Sequence, residues 1–173
     1  MKNKRIILII ALSMVAIVGI GGTWYMKREK DLAELHDIQT DLANYLYNNY
    51  RLYTRDEEKV AIIYQEFDKG KGTITEQEYF DKLDNIKEYS DIEKIEFTGF
   101  FVGPMKTLKV NYTINNVIEK ETSLDTISAE TNKLLYSVGT HDGDGPVYLE
   151  KKDSPTNLDI PKNLVIYYDG GID

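Results

Sequence analysis

The chain has 173 residues, with 21 Lys and Arg, 29 Asp and Glu, two His and no Cys, for a formal net charge of −8 at pH 7. Without cysteine there are no disulfides, thiolate metal sites or thiol nucleophiles, and the acidic balance argues against nucleic acid as a partner. Beyond residue 30 the imbalance sharpens to 15 basic and 28 acidic side chains, a composition suited to a basic partner or a cation.

The first thirty residues read as a basic head, an apolar run and a basic flank. Residues 6–25 carry no charge, and that length is near what a helix needs to cross the hydrocarbon core. Lys2, Lys4 and Arg5 precede the run, Trp24 and Tyr25 sit where an interfacial aromatic belt would be, and Lys27, Arg28 and Lys30 follow. The expectation is a single-pass anchor in the plasma membrane, N-terminus inside, with the C-terminal domain outside the cell. A cleavable signal peptide is the alternative, because Gly19, Gly21 and Gly22 offer small residues to a peptidase. The expected division is 1–30 for the head, anchor and flank, and 31–173 for an extracytoplasmic domain, helical over 31–90 and β-rich over 91–173.

Residues 30–53 read as one helix, since Leu32, Leu35, Ile38, Leu42, Tyr45, Leu46 and Tyr53 recur at three- and four-residue steps. Thr54 with Glu57 makes a capping box for a second helix, with Val60, Ile63, Tyr64 and Phe67 as its stripe. Thr75 with Glu78 makes another for a third helix, lined by Tyr79, Phe80, Leu83 and Ile86. Between them, FDKGKGTITEQEYFDKL (67–83) imitates a calcium loop. Counted from Asp68, Glu78 falls at position eleven, whereas the bidentate glutamate of an EF-hand stands at twelve; a gap at position three leaves Lys71 at position five. An ammonium among the ligands removes an oxygen and adds repulsion. The stretch therefore reads as an αα-hairpin, with Gly70 or Gly72 ending one helix and Thr75 capping the next.

Near residue 92 the period changes to two. Residues 92–102 read as a strand with a bulge at Gly99, followed by a Gly103–Pro104 turn. In 107–114, Leu108, Val110, Tyr112 and Ile114 share one face, and Asn115–Asn116 suits a primed turn into a returning strand over 117–127. Further strands are expected over 133–138, 147–151 and 163–168. The expected fold class is α+β: a single N-terminal transmembrane helix, then helices packed on an antiparallel β-meander of about four to six strands.

His36 and His141 stand apart from any catalytic motif, and no nucleophile elbow, zinc-protease, P-loop or dinucleotide pattern is present. The reading is of a protein that is not an enzyme, with no catalytic residue and no cofactor. In HDGDG (141–145), Asp142 and Asp144 offer two carboxylates that calcium could take weakly, although Asp-Gly pairs also form ordinary turns. The 13 tyrosines include Tyr45, Tyr47, Tyr50 and Tyr53 in the first helix and Tyr167–Tyr168 near the end. Tyrosine packs well in cores and is also favoured at protein interfaces. Candidate partner-binding residues are Asp142, Asp144, Tyr148, Tyr167, Tyr168 and Asp169.

The stretch IEKIEFTGFFVGPMKTLKVNYTIN (92–115) resembles the centre of small membrane-anchored Gram-positive envelope proteins. Those have a basic head, one membrane segment, a strand, a Pro-Met-Gly turn and a strand ending near Ile-Asn. Pro104 and Met105 match that turn, while Lys106 stands in place of the glycine. Similar anchored proteins include the TipC-like immunity proteins, which protect the producer from LXG-type toxins. The resemblance implies a tethered extracytoplasmic immunity protein that binds and neutralises a secreted antibacterial toxin, and the acidic charge makes that toxin basic. It carries over no functional residue. An accessory or structural subunit of a cell-envelope or secretion complex is the alternative.

Overall fold

The computed structural model describes residues 29–68, 74–104, 106–124, 126–130, 134–140 and 145–172. The chain divides into two compact units, 1–38 and 39–173. Helix α1 covers 29–49. In its part within the first unit, Lys30 and Glu34 pair across one turn at 3.7 Å.

The apolar run 6–25 lies outside the described residues. Among those described, no helix is long and apolar enough to cross a membrane. α1 carries Lys30, Asp31, Glu34, Asp37 and Asp41 along its turns, and the next two helices have only 12 and 10 residues. The expected transmembrane helix and single-pass plasma-membrane topology are thus corrected to an α+β architecture without a described spanning helix.

The helix expected over 30–53 stops at residue 49, and β1 (Tyr50–Arg55) follows at once. Two asparagines account for the stop. Asn48 Nδ2 donates to Asn44 O and Asn49 Nδ2 to Tyr45 O, each at 2.8 Å, supplying carbonyls of the final turn with partners. Thr54 lies inside β1, so it does not cap α2 (Glu57–Asp68). Asp56 does so instead, its Oδ1 accepting from the backbone N–H of Glu58 at 3.0 Å and of Lys59 at 3.2 Å. The third helix, α3 (Glu76–Asn85), starts at the expected box: Glu78 N–H donates to Thr75 Oγ1, and Thr75 N–H donates to Glu78 Oε2.

Among the described residues seven strands form two sheets, where one meander was expected. In the first, β1 is central, antiparallel to both β2 (Lys87–Ser90) and β6 (Val147–Lys151). In the second the order is β5-β4-β3-β7, with β3 (Ile95–Val102), β4 (Leu108–Ile114), β5 (Ile118–Ser123) and β7 (Val165–Ile166). Only β3–β4–β5 is a meander. The stretch 133–138 forms no strand among its described residues, Leu134 making one bridge to Ile127. The chain thus leaves the sheet after β5, lends β6 to β1, and returns to add β7 parallel to β3. A short 3-10 turn, Lys162–Leu164, precedes β7, and Tyr167 and Tyr168 lie beyond it.

Turn chemistry inside the meander is local. The β3–β4 register shifts between Phe97 and Gly99, which is the bulge. Asn115 and Asn116 have φ of 50° and 58°, as a primed turn requires, and Val117 N–H closes on Ile114 O at 3.1 Å. Lys106 has φ of 59°, the left-handed conformation that glycine adopts most easily, and its N–H donates to Gly103 O at 2.9 Å.

Val110, Tyr112 and Ile114 of β4 are buried together with Ile95, Phe97 and Phe100 of β3, and with Leu42, Ala43 and Leu46 of α1. Each of the large apolar side chains among them contributes about 1.5–3 kcal/mol on removal from water. Tyr112 is buried with its hydroxyl 2.9 Å from Thr122 Oγ1, and burial pushes its pKa up to about 12.

The last segment is held by side-chain amides of α1. Gln39 Nε2 donates to Tyr168 O at 3.1 Å, while Gln39 Oε1 accepts from Tyr168 N–H at 2.7 Å. Asn48 repeats the pattern on Leu158, donating to its O and accepting from its N–H, both at 2.8 Å. Its Oδ1 also accepts from Thr156 Oγ1. Between them, Asn44 Oδ1 accepts from Ile160 N–H at 2.8 Å. Replacing Asn48 with Ala strips Leu158 of both partners, so Asn48→Ala is expected to lower the unfolding free energy by about 2–4 kcal/mol, read from urea denaturation. Asn48→Asp, which accepts but cannot donate, should recover only part of the loss.

Candidate interaction surface

Strand β1 alternates. Tyr50 and Leu52 are buried, which turns Arg51, Tyr53 and Arg55 to the opposite face. Pairing then sets the neighbours. Tyr53 lies opposite Tyr89 of β2 and opposite Tyr148 of β6, so one tyrosine from each strand forms a row across the sheet. The Tyr53 and Tyr148 rings stack at 5.2 Å, and Tyr53 meets Tyr89 edge-on at 6.3 Å. Cations lie over these rings. Arg51 sits 3.8 Å from the Tyr89 centroid, Lys87 4.7 Å and Arg55 5.1 Å from that of Tyr53. Tyr89 remains 49% exposed.

Glu150 organises the charges. Its carboxylate meets Arg51 through Nε at 3.1 Å and Nη2 at 3.0 Å, and Lys87 Nζ at 2.5 Å; Lys87 also reaches Asp84 at 2.8 Å. Burial opposes both charges, yet the ion pairs prevail. Lys87 titrates above the usual lysine value and Glu150 below the usual glutamate value. Burial, then the Glu150 charge, raise the Tyr89 hydroxyl pKa. The row is therefore held in place by a charge network of Glu150, Arg51, Lys87 and Asp84 on the same face of the sheet.

A cleft opens at each end. One, of about 450 Å³, is lined by Arg51, Tyr89, Ser90, Lys152 and Asp153. The other, of about 370 Å³, lies between β6 and α2 and is lined by Arg55, Val60, Tyr64, Pro146 and Tyr148. Gly145 shapes the second: at φ of 74° it passes so close to Tyr148 that a Cβ would stand 2.6 Å from the hydroxyl.

Of the expected partner-binding residues, Tyr148 belongs to this surface. Tyr167 and Tyr168 do not join it. The Tyr167 hydroxyl is 3.2 Å from Thr40 Oγ1 and its ring stacks on Phe97 at 6.5 Å, while Tyr168 is held by Gln39 and lies against Phe100. Asp169 follows them as an exposed residue. Asp142 and Asp144 lie outside the described residues, as does the connection 69–73 of the calcium-like stretch. Glu78, which would close that loop on a cation, gives its carboxylate to the Thr75 N–H and hydroxyl. Among the described residues no group of three or more His, Cys, Asp or Glu is placed to hold a metal ion. Arg51, Tyr53, Lys87, Tyr89 and Glu150 escape a reading of the sequence. For Arg51 and Tyr53 the signal is the alternation in YRLYTR, which is masked by the helical periodicity before it, and Lys87, Tyr89 and Glu150 join them through strand pairing.

The shifts of Glu150 and Lys87 fix a pH window. A lowered glutamate pKa stabilises the fold above the ordinary value of 4.5 and is lost as pH falls through the folded value. A raised lysine pKa stabilises below the ordinary value of 10.5 and is lost as pH rises through the folded value. Glu150→Gln is expected to cost about 1–3 kcal/mol near neutrality. The difference from the parent chain should vanish on acidification below the glutamate range, as followed by denaturation at stepped pH.

Comparison with protein-family models, with curated proteins and with solved structures finds no match.

Proposed function

We propose that the chain is a protein-binding module that works by docking and makes no bonds: an immunity protein that neutralises a secreted antibacterial toxin. One observation carries the binding role. The Tyr89–Tyr53–Tyr148 row, with Arg51 stacked on Tyr89, places at one surface the residue types that dominate protein-binding hot spots. The rings are held by stacking and by the Glu150 network, so little side-chain entropy is lost on binding. Two flanking clefts give a partner concave places to seat its own side chains. The toxin reading comes from the resemblance over 92–115, and the net charge of −8 favours a basic toxin by steering its approach.

The test uses any secreted toxin whose gene adjoins the one for this chain. The full chain should bind it and restore growth of cells exposed to it. The pair Arg51→Ala and Tyr89→Ala should weaken binding about 30-fold or more, with folding checked by circular dichroism. A chain that neither binds nor protects would defeat the toxin reading. Unchanged affinity in a folded double variant would remove the tyrosine row from the interface.

A further inference from the structure

The α2–α3 hairpin leaves a strip of aromatic side chains in water. Helix α2 buries Ile63 and α3 buries Leu83. On the rest of the pair, Tyr64 is 55% exposed, Phe67 40% and Phe80 51%. These are neighbours. Tyr64 and Phe67 are one turn apart on α2, Phe67 stacks on Tyr79 of α3 at 4.6 Å, and Tyr79 meets Phe80 edge-on at 5.3 Å. Glu66 and Lys82 bridge the two helices at 2.5 Å, which fixes them side by side. The Phe67–Tyr79 stack helps join the two helices, but the outward faces of these rings bury nothing, and contiguous exposed apolar surface marks an interaction site.

Charge decides the occupant. Over 56–84 there are nine acidic residues against four lysines. Glu57, Glu58, Asp68, Glu76 and Asp81, on the same two helices as the rings, are exposed. A second copy of the chain would bring the same acids face to face, and an anionic lipid surface would be repelled likewise. A basic segment gains on both counts, its apolar side chains covering the rings and its lysines or arginines meeting the acids.

We infer that the α2–α3 hairpin is a docking surface for a basic, apolar-faced segment of a partner protein. On α2 the strip runs one turn, from Tyr64 to Phe67, and it continues across to Tyr79 and Phe80 of α3, so it receives about one or two turns of such a segment. The inference rests on the chain being a binding protein and does not depend on the partner being a toxin. Tyr64 also lines the cleft that ends at Tyr148, so a segment on the hairpin adjoins the tyrosine row.

The experiment titrates the ¹⁵N-labelled full chain with two synthetic helical peptides of equal length and equal leucine spacing. One carries lysine at its polar positions and the other glutamate. The lysine peptide is expected to shift amide signals over 57–68 and 76–85. Its affinity should fall about tenfold or more between roughly 50 and 200 mM salt. Phe67→Ser with Phe80→Ser should abolish the shifts. Glu57→Lys with Glu58→Lys and Glu76→Lys should weaken them while leaving the rings in place. Arg51→Ala with Tyr89→Ala should leave the titration unchanged, so the toxin reading and this one fail separately. Equal binding of the glutamate peptide, shifts confined to other elements, or a chain whose strip is already closed in a sedimenting dimer would each overturn the inference.

Discussion

The fold depends on a primary amide facing a backbone. A segment that is extended but outside any sheet must still find partners for its N–H and C=O groups. Thr156, Leu158 and Ile160, before β7, and Tyr168, after it, find theirs on α1. An Asn or Gln side chain both donates and accepts, so one side chain can serve the N–H and the C=O of a single residue. Gln39 does this for Tyr168 and Asn48 for Leu158. A carboxylate would repel the carbonyl and an ammonium would leave the N–H unmet. Gln39 is 1% exposed and Asn48 8%, and burial raises the value of each bond they make.

That contact also positions the interaction surface. Asn49 O accepts from Lys152 N–H at 2.7 Å, and Lys152 Nζ donates to Tyr47 O at 2.9 Å, tying the end of β6 to the end of α1. Since β1 leaves α1 without a loop, helix and strand set the register of β6 together. The register places Tyr148 opposite Tyr53 and Glu150 opposite Arg51. A one-residue slip would turn every one of these side chains to the other face.

Much of the fold is legible wherever the signal is local. The Thr75–Glu78 cap, the buried alternation of β4, the bulge at Gly99 and the Asn115–Asn116 turn each depend on a few consecutive residues. The misses share a cause. Tyr50–Arg55 extends the helical spacing of apolar residues before it, with no Gly or Pro to mark the change, and strand pairing overrides the propensity. The sheet split and the parallel β7 follow from partners distant in sequence. The tyrosine row is hidden for the same reason: Tyr53, Tyr89 and Tyr148 come from three separate strands and meet only through register. Tyr167 and Tyr168 draw attention as an aromatic pair, yet their surroundings make them structural anchors.

The parallel pairing of β7 with β3 bears on how the polypeptide reaches its native state. Gln39 and Tyr168 are 129 positions apart, and Asn48 and Leu158 are 110 apart. During synthesis the helix emerges early, and its amides wait, hydrated, until residues 158 and 168 have been made. The meander can assemble meanwhile from short-range contacts, but the closing step needs Leu158 and Tyr168. Such a topology loses loop entropy before the distant contacts repay it, which places it among the slower folders. A chain halted before residue 158 would hold the β3–β4–β5 meander, lack β7 and leave the helix not yet latched.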